Sequence, residues 1–241
     1  MIDPLIGIGV GAAGLTGSLA AYYCPAALRI LWLHRAKTLT KQRQCVALTF
    51  DDGPGPTLTP RILDLLQGHN ARATFYVLGI RAEKHPELVR RAFEEGHEIA
   101  THTYTHLHAW KSGPFAQSRD IRAGFKTVAS CLQDSPPPLR FRPTYGKLTL
   151  AGWLTVCRRA SAIDWWTIDS CDTKPLLPEP GSIVERIERN GGGVVLLHDH
   201  DRQVNAEKRA AYVLAVTDLI CTCAPKLGLQ CVPMSEALGH E

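Results

Sequence analysis

The chain has 241 residues, with 27 Lys and Arg against 23 Asp and Glu, a formal charge of +4, and 45% hydrophobic residues; this fits one large domain and excludes a disordered chain. Twenty Gly and 16 Pro without a triplet period exclude a collagen-like chain, and +4 over this length gives no argument for nucleic acid as a partner. Eight cysteines without a CxxC pair speak against a zinc knuckle or a dithiol redox motif; Cys45 and Cys231, in apolar strand-like runs, read as small buried hydrophobes with reduced thiols.

From Pro4 to Leu28 there is no charged side chain, and Leu5–Tyr23 reads LIGIGVGAAGLTGSLAAYY. About 20 such residues span a bilayer core as a helix, and Gly7-x-x-x-Gly11 permits close helix packing. A glycine-rich soluble arm is the bland alternative. A signal peptide fits less well, because Asp3 stands where a positive n-region is needed. Arg29, Arg35, Lys37, Lys41 and Arg43 follow with no acid from 29 to 44. That asymmetry predicts an anchored chain with its catalytic domain on the cytoplasmic side, the extracytoplasmic side remaining open, and Trp32 at headgroup level. The expectation is an anchor or arm with a basic flank over residues 1–44, membrane lipid contacting residues 5–28, and a catalytic domain over 45–241.

From residue 45 short apolar runs alternate with amphipathic ones. Candidate strands are 45–50, 73–78, 97–101, 139–143, 161–168, 194–197 and 229–232. Thr59-Pro60 reads as an N-cap followed by a first-turn proline, PELVRRAFEE (86–95) as a helix stopped by Gly96, residues 180–190 as one ending at three glycines, and 206–223 as a long final helix. Strands alternating with helices predict a parallel α/β architecture, either doubly wound or an incomplete barrel.

Chemistry-bearing residues gather where the strands end. In VALTFDDGP, Asp51 and Asp52 are adjacent carboxylates whose repulsion a metal ion relieves, one as ligand and the other as base. In HEIATHTYTHLH, His102 and His106 are four apart, so on a helical turn both rings face one way; with Asp52 they make an Asp-His-His site. His97, inside a strand, reads as structural. In FRPTYG, Arg142 keeps its charge and is a candidate partner for Asp51, while the backbone N–H at Tyr145 suits an oxyanion. In IDWWTIDSCDT, Trp165 and Trp166 read as core more readily than as sugar platforms, with Trp166 the candidate for substrate contact. In VVLLHDH, His198 ends an apolar strand as a general acid that Asp172 can orient.

TFDDGP, HTYTH, RPTYG, WTIDSCD and LLH, in this order, resemble the five motifs of the polysaccharide deacetylase (NodB-homology) family of carbohydrate esterases, over roughly residues 45–238. The resemblance implies an α/β fold, an irregular (β/α) barrel of about seven parallel strands, preceded here by an N-terminal apolar helix. It implies Asp51 as general base, Asp52, His102 and His106 as ligands of a divalent metal, Arg142 as anchor of Asp51, and His198 as general acid tuned by Asp172. It also implies the Tyr145 N–H as oxyanion donor and Leu196 as a wall of the acyl pocket. Zinc is the first choice of metal, with cobalt or nickel as alternatives. The expected enzyme is a metal-dependent hydrolase removing an N-acyl group from an amino sugar of a glycan or glycolipid. Alternatives are hydrolysis of an O-acetyl ester, a formamide or a non-sugar amide, or an idle membrane-attached glycan-binding module. Leu107, Thr144 and Thr173 depart from the family pattern, the last at a pocket wall.

Overall fold

The computed structural model describes residues 27–132, 137–201 and 204–239. Its centre is a parallel sheet in which β1 (Cys45–Asp51) lies between β2 (Thr74–Val77) and β5 (Gly193–His198). β3 (Glu98–Thr101) pairs outside β2 and β4 (Ile168–Asp169) outside β5, while the short β6 (Gln230–Cys231) joins the start of β1. Hydrogen bonding continues past β3 through single parallel bridges, Thr101 to Phe141 and Phe141 to Ile163. The Ile163 segment then pairs with β5 through Thr167 and β4. The path of pairing thus runs round on itself, which accords with the expected irregular barrel.

Two expected strands are reduced. Residues 139–143 contribute only Phe141, bridged on one side to Thr101 and on the other to Ile163, because prolines at 138 and 143 bring no N–H to a ladder. Residues 161–168 contribute one bridge and the start of β4, partly because the Trp165 carbonyl is taken by Arg142.

Strand periodicity sorts the side chains. Val46, Leu48, Phe50, Phe75, Val77, Ile99, Val195 and Leu197 point to the main core under the helices, whereas Ala47, Tyr76, Ala100 and Val194 belong to a smaller interior cluster. Both faces are buried, as a parallel sheet requires. Small residues at 47 and 100 leave room inside for charged and aromatic groups.

Helices follow their local signals. α2 (Leu58–Gly68) starts before the expected cap: the Asp201 carboxylate accepts the Thr57 and Leu58 N–H groups, and Thr59 turns its hydroxyl to Asp199. A four-residue α3 (Gly79–Ala82) precedes α4 (Pro86–Glu94), which has proline in its first turn. α5 (Pro114–Ser130) and α6 (Leu150–Val156) pack together, and α7 (Gly181–Asn190) ends at Gly191 in the left-handed conformation. α8 (Ala206–Cys223) packs against α2 and α7, and α9 (Met234–Leu238) covers the start of β1.

The helix at residues 27–42, named α1, is not the apolar helix expected at the N-terminus. It is basic and amphipathic, and its Ala36, with Trp32 and Leu39, packs into the interior cluster. Trp32 meets Trp165 edge-on with centroids 5.8 Å apart. The apolar stretch 5–23 lies outside the described residues. Among the described residues the one helix long and apolar enough to cross a membrane is Ala206–Leu227, near the C-terminus, and it is partly buried against the domain. The described cysteines, all but Cys24, are free thiols.

Candidate active site

Parallel strands bring their carboxyl ends to one side, and the candidate residues collect there. Asp51 is the last residue of β1 and is paired in register with His198, the last of β5. His102 follows the last residue of β3. Asp52 leaves β1 with φ 70°, turning its carboxylate away from the strand direction. Gly53 comes next because a β-carbon there would overlap the Asp199 carboxylate.

The ligand atoms of Asp52, His102 and His106 all lie within 4.8 Å of one another. Asp52 Oδ1 is 3.1 Å from His106 Nε2 and 3.6 Å from His102 Nε2, and it is buried without a hydrogen-bond partner. The His102 Nδ1–H donates to the Arg142 carbonyl at 2.8 Å, which assigns the tautomer and turns Nε2 to the cluster. A buried carboxylate oxygen with two imidazole nitrogens converging on it is a donor set that fits a divalent cation. Burial works against ionisation of Asp52. The adjacent His106 ring, 3.1 Å away, and the electrostatic pull of the His102 and His198 imidazoles outweigh it and hold the carboxyl far below the usual range. Burial likewise keeps His102 neutral to lower pH than usual, the form in which imidazole ligates.

The two histidines do not meet on a helical turn, as their spacing suggested. Residues 102–106 form a loop with left-handed backbone at Thr103 (φ 74°) and His106 (φ 65°). The Asp120 carboxylate of α5 holds it by accepting the Tyr104 and Thr105 N–H groups and the Thr105 hydroxyl. Two departures from the family pattern meet beside it: the Thr144 hydroxyl donates to the Leu107 carbonyl at 2.6 Å, a bond that proline at 144 cannot make.

Asp51 is held from beneath. Arg142, wholly buried, donates from Nη1 to Asp51 Oδ1 at 2.6 Å and to the Thr49 hydroxyl at 2.8 Å, and from Nη2 to the Trp165 carbonyl. Its guanidinium lies 3.9 Å from the centre of the Tyr76 ring. Asp51 Oδ2 is left toward the cluster, 3.8 Å from His102 Nε2. Opposite, His198 Nδ1 lies 2.8 Å from Asp172 Oδ1, and the His198 backbone N–H donates to Asp172 Oδ2 at 2.8 Å. Burial disfavours the imidazolium, but the Asp172 charge and hydrogen bond, with the Asp52 and Asp51 charges, push its pKa up to about 9. Arg209 donates to the Asp172 carbonyl.

The remaining expected residues surround this centre. Tyr145 occupies a tight turn with φ 56°, and its ring packs 4.6 Å from His106 and 4.8 Å from His108. Leu196 is buried two residues before His198 and so shares its face of β5. The Trp166 ring centre has two guanidiniums near it, Arg29 at 5.0 Å and Arg142 at 5.9 Å, while Trp165 is core and donates from Nε1 to the Gly146 carbonyl. A cavity of ~100 Å³ beside the centre is lined by Asp172, His198, His200 and Asp201.

Several neighbours escaped the sequence reading. His200 Nδ1 is 3.7 Å from Asp52 Oδ2, and Arg81 donates to the Asp52 carbonyl. Asp199 is buried against Thr59, and burial pushes its pKa up to about 7. The HDH run carried a signal for both His200 and Asp199. Arg140 and Asp164 form a buried two-bond pair that also receives the Tyr76 hydroxyl. The Arg-Phe-Arg alternation was its available sign, since Phe141 faces the core and residues two apart share a face.

Comparison with known proteins agrees with this geometry. Residues 38–156 match the family model described as polysaccharide deacetylase. A peptidoglycan-N-acetylglucosamine deacetylase of Bacillus cereus is 34% identical over 198 residues, 81% of this chain and 89% of that protein. A chitooligosaccharide deacetylase of a Bradyrhizobium species is 36% identical, covering 64% of this chain and 70% of that one. Longer peptidoglycan-N-acetylglucosamine deacetylases of Listeria monocytogenes are 31% identical and are covered over 39% of their length. Among solved structures, a family 4 carbohydrate esterase from Streptomyces lividans in complex with acetate superimposes with a TM-score of 0.69 at 28% identity, over 81% of this chain and 95% of that one. Strand-end carboxylates and histidines, the parallel sheet that gathers them and the match along most of the chain agree, and the chain belongs to the polysaccharide deacetylase family.

Proposed function

We propose that the protein is a metal-dependent hydrolase that removes an N-acetyl group from an amino sugar within a glycan. The observation that carries this is the pairing of Asp51 with His198 at adjacent strand ends, a base and an acid flanking the Asp52, His102 and His106 cluster. Those three residues would hold a divalent cation, zinc first, which when bound polarises the amide carbonyl and acidifies a water. Asp51 takes a proton from the attacking water, and Arg142 keeps its carboxylate oriented. The water oxygen bonds to the carbonyl carbon, and the Tyr145 N–H donates to the resulting oxyanion; one such donor is worth ~3–4 kcal/mol. With Nδ1 occupied by Asp172, His198 delivers its proton from Nε2 to the amide nitrogen as the C–N bond breaks, releasing acetate and a free amine.

A raised His198 favours amides over esters, because an amine leaves poorly unless protonated. Acetate release from N-acetylated chitooligosaccharide, measured against an O-acetylated glycan, tests the reading; release from the ester alone overturns it. For attachment, the charge-free run from Pro4 to Leu28 beside the basic residues 29–43 supports a bilayer anchor, with the catalytic domain on the cytoplasmic side and a lipid-linked amino sugar within reach. Recovery of the full chain in the soluble fraction of lysed cells would refute the anchor.

A further inference from the structure

Arg29 of α1 reaches residues that adjoin the candidate active site. Its guanidinium lies 5.0 Å from the centre of the Trp166 ring, and its Nη1 is 3.3 Å from where a β-carbon on Gly146 would be. Gly146 adjoins Tyr145, whose ring contacts His106.

Among the described residues this guanidinium differs from its neighbours in having no acid. Arg142 is neutralised by Asp51 and Arg140 by Asp164. Among the described residues Arg29 meets no carboxylate, and its Nε is buried without a hydrogen-bond partner. A cation held in part away from water without a counter-charge is costly unless a ligand supplies one. Burial accordingly shifts its pKa downward. The Trp166 ring backs the guanidinium, which presents a planar fork suited to two oxygens of one anion. Gly146 is part of the arrangement, since a side chain there would crowd both the Trp166 ring at 3.0 Å and the guanidinium. Arg29 also precedes residue 38, where the match to the family model begins.

We propose that Arg29 anchors an oxyanion of the substrate, a carboxylate or a phosphate, carried beside the sugar that is deacetylated. The inference rests on the deacetylase reading and adds a charge preference to it: anionic saccharides bind in preference to neutral ones, and the N-terminal helix supplies the selectivity.

Equilibrium binding to the full chain tests this with three probes: neutral chitotetraose, a peptide-free peptidoglycan strand bearing the muramic carboxylate, and N-acetylglucosamine 1-phosphate. The wild type is expected to prefer at least one anionic probe over chitotetraose by about tenfold, with the preference falling as salt rises. That ratio should collapse toward one in Arg29→Gln and be partly kept in Arg29→Lys, which retains the charge without the fork. The anion giving the larger ratio identifies its source. No preference in the wild type, or an equal ratio in wild type and Arg29→Gln, overturns the proposal. A matching unfolding midpoint for Arg29→Lys guards against a folding artefact. Acetate release from chitotetraose by the wild type reads the deacetylase assignment separately, because the binding ratio does not depend on turnover.

Discussion

Replacing Asp172 with Asn isolates what the carboxylate does for His198. Asp172 meets both the ring and the backbone N–H of His198 at 2.8 Å, and it is nearly inaccessible to solvent. An imidazole moved from its ordinary 6.5 to about 9 prefers its charged form by roughly 3 kcal/mol more than a free one. The sign follows from the role. A general acid must be protonated, so kcat/KM should hold through neutral pH and fall on the alkaline side as His198 loses its proton. Asparagine can still accept one hydrogen bond but brings no charge, so in Asp172→Asn the alkaline fall should move toward neutral pH. Titration of the His198 ring by NMR in metal-free protein should move in the same direction. The stability linkage has the matching sign: a raised folded-state pKa stabilises fully below about 6.5, and that contribution is lost as pH rises through about 9. An Asp172→Asn enzyme whose alkaline limb stays where the wild type has it would refute the assignment of His198 as the acid oriented by Asp172.

Three further outcomes follow from the same geometry. Asp51→Asn should lower kcat by about 10²–10⁴-fold with metal content retained, and should cost about 3–5 kcal/mol of stability in denaturant melts because the Arg142 charge is left buried. His102→Ala should lose both metal, by elemental analysis, and activity, whereas chelator-treated wild type should regain activity when zinc is returned. Asp164→Ala should destabilise by about 3–5 kcal/mol by orphaning Arg140, yet leave the metal stoichiometry of the folded fraction intact.

Much of the site was legible because its residues sit within a few positions of a strand end. Asp51 and Asp52 close an apolar run, His198 closes another, and short-range pattern marks both. The spacing of His102 and His106 pointed to a shared ligand and misjudged the means, since a loop with two left-handed residues does what a helical turn was expected to do. Residues 139–143 and 161–168 looked like full strands from their apolar character. Prolines at 138 and 143, and the Arg142 and Trp165 carbonyls taken by side chains, limit them to isolated bridges and the start of β4.

By itself the sequence determined which chemical groups stand at the strand ends and that strands alternate with helices, since both depend on neighbours close along the chain. Tertiary structure alone decided that Arg142 lies under Asp51, 91 residues away, and that Asp172 grips His198 across 26. It also decided that α1 packs into the interior and brings Arg29 to Trp166. Such contacts are set by strand register and by the volume left inside the sheet, quantities summed over the whole fold, so no local stretch of sequence carries them.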